Sequence, residues 1–489
     1  MSTTVEPAIS PARSASAGYR TLWRWHFYAG LFVMPFLVIL AITGTLYCFQ
    51  PQIEPLLYRH RMIVEPRDTP RLDADTLLAK ARAAMPAGAT PVSAQVSAAP
   101  DRSAEYVFRL RDGSRESVYV NPYDGGVLGT LSVERRFMQV DRMLHRKLLL
   151  GKTGELLMEL AACWTFVMIG TGVALWWPRG TARVGRALRP DLSLRGRPLW
   201  KSIHATAGIW LAAGAVAFIL TGLPWSGLWG KYFKALAATV NLGEPQGAWG
   251  GLPLRSSRPG AAPAGTETRV AAPAGHRHDG GDSTPGMVMD DLPLPHTPWA
   301  VGNVPVPHSP SAPTPAPLTL DRAIAIVAGL GVTSSYTLAL PAGADGVLTA
   351  SYFPADPKAE RTIYIDQYSG AVLKDIRYAD YGAVSQAVSY GTSLHMGRYF
   401  GLANQIVCAA LSLGLAAMAV TGAVMWWKRR PAGKLCAPAR ERDAPPMRAW
   451  IAGLVLLGIV FPLMGMTIVA VWLVDRLLFG RAARAARVR

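Results

Sequence analysis

Charge is scarce in this chain, and one sign of it is scarcer still. Only 17% of its 489 residues are charged, and Asp and Glu number 32 against 50 Lys and Arg. With 50% hydrophobic residues beside so little charge, an ordinary soluble enzyme of about three domains is excluded. Cysteine is sparse as well. Cys48, Cys163, Cys408 and Cys436 lie in or beside apolar runs, and none is placed to staple a long polar segment, so no disulfide framework is implied. No Gly-x-Gly-x-x-Gly follows a strand pattern, which removes a nicotinamide fold. Gly151-Lys152-Thr153 resembles the end of a phosphate loop, but Arg146 stands where the leading glycine belongs.

What remains is long and apolar. Hydrophobic runs occupy about 26–49, 156–177, 203–225, 402–427 and 451–474, each near the ~20 residues a helix needs to cross a bilayer. The expected fold class is a membrane protein, an α-helical transmembrane bundle with modules outside it. The net charge of +18 then has a topological explanation. Arg179, Arg183, Arg186, Arg189, Arg195, Arg197 and Lys201 crowd one short loop, and Lys428, Arg429, Arg430, Lys434, Arg440, Arg442 and Arg448 another. The positive-inside rule makes both loops cytoplasmic, with the N-terminus on the same side. No nucleic-acid partner is needed to account for them.

The chain thus divides into a cytoplasmic tail (1–24), a first span (25–49), an outer segment (50–143), and a second span with its approach (144–177). A basic loop (178–201) and a third span (202–225) follow, then a second outer segment made of an insert-bearing stretch (226–317) and a module (318–390), and a fourth span with its approach (391–427). Another basic loop (428–449), a fifth span (450–474) and a basic tail (475–489) complete it. The first run is too long for a signal-peptide core and lacks a convincing cleavage site, so it reads as an uncleaved anchor. The tail fits poorly outside, since it carries Arg476, Arg481, Arg484, Arg487 and Arg489; a re-entrant or interfacial last helix would accommodate them.

Self-comparison organises the chain further. His26, Gly30 and Thr43-Gly44 recur as His204, Gly208 and Thr221-Gly222, at a constant offset of 178. Leu144-His145, Gly151, Thr171-Gly172 and Trp176-Trp177 recur as Leu394-His395, Gly401, Thr421-Gly422 and Trp426-Trp427, at a constant offset of 250. Two duplicated halves with one extra helix are expected. Most of the difference in offset sits in a Pro-, Gly- and Ala-rich insert at about 243–317, which reads as a flexible linker. The outer segments also match. Each has a helical stretch (Leu72, Leu77, Leu78, Ala81; then Leu320, Ile324, Val327), alternating residues, and a hairpin signal. That signal is Tyr119-x-Asn121-x-Tyr123 before Gly125, and Tyr364-x-Asp366-x-Tyr368 before Gly370. Each should hold a small α+β module.

Modules of this kind, set between helices that carry Leu-His and end in Thr-Gly-x-x-x-Trp-Trp, resemble the PepSY-associated transmembrane family. Its members include bacterial iron-regulated inner-membrane proteins and ferric-siderophore reductases. The resemblance covers about 20–430 apart from the insert, and Asn121 departs from it where the second copy has Asp366. It implies two periplasmic PepSY-like modules, a bacterial inner-membrane location, and haem.

The histidines can be weighed on their own chemistry. Histidine is costly inside a membrane and functional there by default. A lone His26 or His204 at a span's end could simply hydrogen-bond lipid headgroups, and duplicated helices also inherit packing residues. The retained spacing favours a ligand role, because neutral imidazole is a common haem iron ligand. His26, Gly30 and Gly44 share one helix face, as do His204, Gly208 and Gly222; small residues admit another helix or a flat macrocycle. By depth, His26 would pair with His204 near the cytoplasmic face, and His145 with His395 near the outer face, each pair clamping one haem b. For the outer pair, Gly151, Gly154, Gly397 and Gly401 could break the helices and leave the imidazoles at the interface. Trp23, Trp25, Trp200 and the Trp-Trp pairs fit an interfacial aromatic belt better than a macrocycle lining.

The expectation is an electron-transfer protein that passes electrons outward to a ferric chelate, a siderophore above all. The donor would be a cytoplasmic reductase or membrane quinol. No catalytic acid or base is assigned. The rival readings are a non-enzymatic membrane scaffold whose PepSY modules bind or regulate an envelope protein, and a quinol-linked cytochrome or haem carrier. His276, His278, His296 and His308 in the insert, with Asp279, Met287, Met289, Asp290 and Asp291, suggest a loose metal-capturing loop, although such residues also decorate linkers.

Overall fold

Inside a bilayer every backbone polar group must be satisfied within the chain, so long apolar runs become helices. The computed structural model of the chain describes residues 11–178, 184–240, 242–243, 294–302, 306, 316–343, 346–430 and 447–485. In chain order its elements are α1 (Pro11–Cys48), α2 (Gln50–Leu57), α3 (Arg59–Met62), α4 (Ala74–Ala83), β1 (Thr90–Val96), β2 (Ala104–Arg109), β3 (Arg115–Val120), β4 (Val127–Ser132) and α5 (Phe137–Lys147). There follow α6 (Gly151–Trp176), α7 (Val184–Ala187), α8 (Gly196–Gly222), α9 (Trp229–Thr239), α10 (Leu320–Gly329), β5 (Tyr336–Ala339), β6 (Val347–Tyr352), β7 (Arg361–Asp366) and β8 (Val372–Arg377). The last are α11 (Ala383–His395), α12 (Leu402–Arg429), α13 (Arg448–Val460) and α14 (Pro462–Ala485). They form two compact units, one of residues 1–49, 141–234 and 394–489, the other of 50–140 and 235–393.

The first unit is the membrane bundle. Among the described residues, Gly18–Cys48, Gly151–Trp176, Gly196–Trp225 and Leu402–Arg429 are long and apolar enough to cross a bilayer. α1 packs on α6 and α12, and α8 packs on the same two helices. Ala29, Val33, Leu37, Trp164, Val167 and Ile219 form its interior. Ile42, Trp210, Leu220, Ile406, Leu413 and Val420 are exposed, as an outer face meant for lipid requires.

Two short helices lead into spans through tight reversals. Between α5 and α6 the chain turns at Leu148 and Leu149, with φ of 52° and 58°, and at Gly151, with φ of 57°. A β-carbon on Gly154 would lie 1.7 Å from the Lys147 carbonyl oxygen, so only glycine fits there. Between α11 and α12, Gly397 and Gly401 take φ of 71° and 57°. His145 and His395 therefore end short helices and do not belong to the spans that follow.

The fifth apolar run departs from its expectation. It is not one helix over 450–474 but two, α13 and α14, divided at Phe461–Pro462. Proline lacks the N–H a helix interior needs, and its ring clashes with the preceding turn. The chain folds back there closely enough that a β-carbon on Gly465 would sit 2.6 Å from the Gly458 carbonyl oxygen. Trp164 Nε1 donates to Thr467 Oγ1 at 2.9 Å, and Trp229 Nε1 to the Val460 carbonyl at 2.9 Å, so the pair is docked on the bundle.

The second unit is built on one antiparallel sheet of eight strands in the order β4-β3-β2-β1-β5-β6-β7-β8. β1 and β5 join at its middle, with Ala94 opposite Leu338 and Gln95 opposite Thr337. The period-two pattern puts Tyr106, Phe108, Val118, Val120, Leu348, Ala350, Ile363 and Ile365 on one face. There they bury Leu77 and Ala81 of α4 and Ala323 and Val327 of α10. The two helix N-termini cap each other. Asp321 accepts from the Ala74 and Asp75 amides at 2.8 and 3.0 Å, and Asp75 accepts from the Leu320 and Asp321 amides at 2.9 and 3.0 Å. Both expected hairpins form: Tyr123 N donates to Asn121 Oδ1 at 3.0 Å, Tyr368 N to Asp366 Oδ1 at 2.7 Å, and Gly125 and Gly370 take the positive φ.

Candidate cofactor site

Threonine inside a helix usually returns its hydroxyl proton to a carbonyl one turn back. Among the bundle threonines that do so are the four of the repeated Thr-Gly pairs. Thr43 donates to Ile39 O at 2.7 Å, Thr171 to Val167 O at 2.6 Å, Thr221 to Ala217 O at 2.7 Å, and Thr421 to Met418 O at 3.0 Å. With its proton committed, each hydroxyl oxygen can only accept from its remaining neighbour, and in every case that neighbour is a histidine. His26 Nδ1 meets Thr171 Oγ1 at 3.0 Å, His204 Nδ1 meets Thr421 at 2.8 Å, His145 Nδ1 meets Thr43 at 2.9 Å, and His395 Nδ1 meets Thr221 at 2.9 Å. The Met168 carbonyl also takes the His26 Nδ1–H at 3.1 Å, and the Phe218 carbonyl accepts from His395.

The protonation pattern follows. Each Nδ1 carries the hydrogen, so each Nε2 carries a lone pair, the tautomer that binds a metal. The glycine after each threonine makes room for the ring. A β-carbon would lie 3.2 Å from His26 Cε1 at Gly172, 3.3 Å from His145 Cε1 at Gly44, 3.4 Å from His395 Cε1 at Gly222, and 3.6 Å from His204 Cε1 at Gly422. Thr-Gly near the end of a span is thus a clasp: those of α6 and α12 hold His26 of α1 and His204 of α8, and those of α1 and α8 hold His145 and His395 at the ends of α5 and α11.

Histidines from the two helix pairs meet. The His26 and His204 rings are 6.3 Å apart, centre to centre, and nearly perpendicular at 84°. Two imidazoles sharing one metal need about 2 Å per bond and roughly 1 Å from nitrogen to ring centre on each side, close to that separation. Between the helices lies a cavity of about 480 Å³, a common size for a small-molecule site. His26, Gly30, Gly172, His204, Gly208 and Gly422 line it, with Trp23, Trp176 and Trp426. At the other end of the bundle, His145 and His395 lie within electrostatic reach of one another, with Phe218 5.1 Å from the His395 ring. The turn carrying His395 is held from behind. Asn404 Nδ2 and Cys408 Sγ donate to the Leu394 carbonyl at 3.0 and 3.3 Å, and Cys48 Sγ to the His395 carbonyl at 3.7 Å.

Two imidazoles alone make a poor cage for a bare ion. No cluster of three or more His, Cys, Asp or Glu able to hold one occurs among the described residues. A flat tetradentate macrocycle would supply the missing donors, and the glycine-lined space beside bare Nε2 atoms fits such a group.

Other sequence expectations fared unevenly. Gly30 and Gly208 line the cavity beside their own helices' histidines, but Gly44 and Gly222 serve His145 and His395 at the opposite end. The Trp-Trp pairs split: Trp176 and Trp426 line the cavity, whereas Trp177 and Trp427 are exposed. Trp25 stacks on Trp164 with ring centres 6.2 Å apart. Of the insert histidines, His276, His278 and His308 lie outside the described residues, and His296 stacks on Phe353 at 5.7 Å. The clasping threonines, and the cations Arg197, Lys201 and Arg429 in the cavity lining, were not singled out from sequence as site residues. The recurring Thr-Gly was the signal for the first.

Spanning helices with paired imidazoles in their interior, joined in one chain to a sheet-bearing unit, define a membrane protein of mixed helix and β-module architecture. Residues 23–429 match the PepSY-associated TM region family, and the chain belongs to it. Comparison with curated proteins found no match.

Proposed function

We propose that this chain is an inner-membrane electron-transfer protein that holds two haem b groups and reduces ferric chelates, ferric siderophores above all, on the periplasmic side. His26 and His204 would hold the haem near the cytoplasmic face, and His145 and His395 the one near the periplasmic face. The observation that carries this reading is the fourfold clasp. A half-buried imidazole with Nδ1–H tied to threonine and Nε2 left bare is a ligand held ready, and neither lipid anchoring nor helix packing calls for it four times. Bound haem supplies a one-electron iron couple at each level.

The chain's own residues do the rest. Threonines fix the tautomer and orientation of the imidazoles, glycines leave space beside them, and the apolar helices exclude water. A hydrocarbon layer ~30 Å thick is a poor path for an electron unless sites lie within it, and pairs at two depths provide them. Electrons would enter from a cytoplasmic reductase or from membrane quinol. Reduction at the outer end needs no acid or base, and Fe(II) is the weaker partner for a chelate's hard oxygen donors. Gene duplication and a pseudo-two-fold axis along the membrane normal would explain the constant offsets. The symmetric strand order about β1–β5 and the reciprocal Asp75 and Asp321 caps support that view. The basic loops orient the bundle with the N-terminus inside.

The test is spectroscopic. Protein purified from haem-replete cells should be red, with a Soret band that sharpens and shifts on dithionite. A colourless preparation would leave the scaffold reading, in which the eight-stranded sheet unit binds an envelope protein.

A further inference from the structure

The cavity between His26 and His204 is charged at one end only. Its charged lining residues are Arg197, Lys201 and Arg429, and no carboxylate is among them. Lys201 precedes His204 by one turn of α8 and Arg197 by two, so both stand on the histidine's face of the helix, about 5–10 Å further along it. Arg429 lies two turns beyond Gly422 on α12, toward the same end. Its guanidinium carbon lies over Trp23 and Phe27, 4.5 and 5.4 Å from the ring centres. Arg197 and Lys201 have no hydrogen-bond or ion-pair partner among the described residues. An excess of basic residues in the two cytoplasmic loops explains topology, but it does not require three of them to face one cavity.

We infer that Arg197, Lys201 and Arg429 form a carboxylate-anchoring site. The ligand it takes is an apolar disc with acid groups along one edge, seated with that edge toward the end of the bundle where α8 begins. The inference rests on the haem reading and adds the orientation of the macrocycle and the residues that set it. Charge-assisted hydrogen bonds from guanidinium and ammonium to carboxylate are the strong kind, and the apolar walls beside them leave the acid edge no other favourable direction. The three cations are positioning residues and touch no iron.

The full-length protein carrying His395→Ala, prepared without haem, isolates this site for titration. The probes are ferric haem b and its dimethyl ester, which has the same iron and the same disc but no acid edge. The Soret band of bis-imidazole iron is the readout. The ester should bind about tenfold or more weakly than the acid, and the ratio of the two affinities should fall toward one in Arg197→Gln/Lys201→Gln. Taking the ratio removes any difference in partition into detergent, and both substitutions lie at exposed positions that carry no packing. An unchanged ratio in the double variant, or equal binding of acid and ester by the unsubstituted cavity, would overturn the anchoring site while leaving the haem reading intact. If neither porphyrin gives a bis-imidazole spectrum, both fail together.

Discussion

At the scale of single residues, the decisive group is the threonine hydroxyl. Thr421 is the sharpest case, because His204 Nδ1 has no other acceptor among the described residues, whereas His26 also has the Met168 carbonyl. Thr421→Val keeps the volume and removes the acceptor, so the His204 ring loses both its tautomer preference and its orientation. Loss of such a supporting partner commonly lowers metal affinity 10–100-fold. We expect Thr421→Val to lower inner-site haem affinity by about that factor, and Thr171→Val to lower it less, read from the haem-to-protein ratio and a Soret titration. The four histidines were legible in the sequence because each keeps its spacing to a glycine and a Thr-Gly. Their clasps were not, since each joins a histidine to a threonine more than 100 residues away in the sequence, and only helix packing brings the two together. The cations of the cavity were hidden for a different reason: a loop full of arginine already had an explanation in topology.

At the scale of elements, α5 carries a strain the sequence did not advertise. Asp141, one turn before His145, is buried, and its Oδ2 has no hydrogen-bond partner. Burial penalises the charged form and pushes the carboxyl up to about 6. The folded chain therefore holds this proton more tightly than the unfolded one. The stability it provides is fully present below the unfolded value near 4 and is lost as pH rises through about 6. Asp141→Asn should accordingly raise the thermal midpoint at pH 8 and leave it nearly unchanged at pH 4. A midpoint shift of the same size at both pH values would mean that ionisation is not the cause. Elements also show where pattern reading stops. The two hairpins announced themselves through Gly125 and Gly370, but β1 and β5 lack a turn signal, and each is fixed as a strand by partners on both sides, β2 and β5 for β1, β1 and β6 for β5. Pro462 stood in plain view, yet an unbroken apolar run concealed the fold-back it causes between α13 and α14.

At the scale of the whole molecule, the arrangement makes a claim about which substitutions should behave alike. Sequence neighbours do not share a site: His26 and His145 belong to one helix pair, yet His26 faces His204, with ring centres 6.3 Å apart. The apolar runs and their basic loops made the bundle legible from sequence, because hydropathy is a local property. The joining of four strands to four across β1–β5 was not, because it depends on edges distant in sequence finding each other. If the two depths act in series, His26→Ala and His204→Ala should each remove the same redox transition, and His145→Ala and His395→Ala should each remove the other. The outer variants should still be reduced by a membrane or cytoplasmic donor through the surviving inner pair, while losing reduction of an added ferric chelate that cannot cross the membrane. The inner variants should lose both, since nothing then carries the electron outward. Potentiometric titration of the four variants in proteoliposomes, with ferrous iron trapped by an impermeant chromogenic chelator, reads both quantities at once. Grouping by helix pair, with His26 and His145 alike and His204 and His395 alike, would place each haem within one half of the chain, and the two-level path would have to be abandoned.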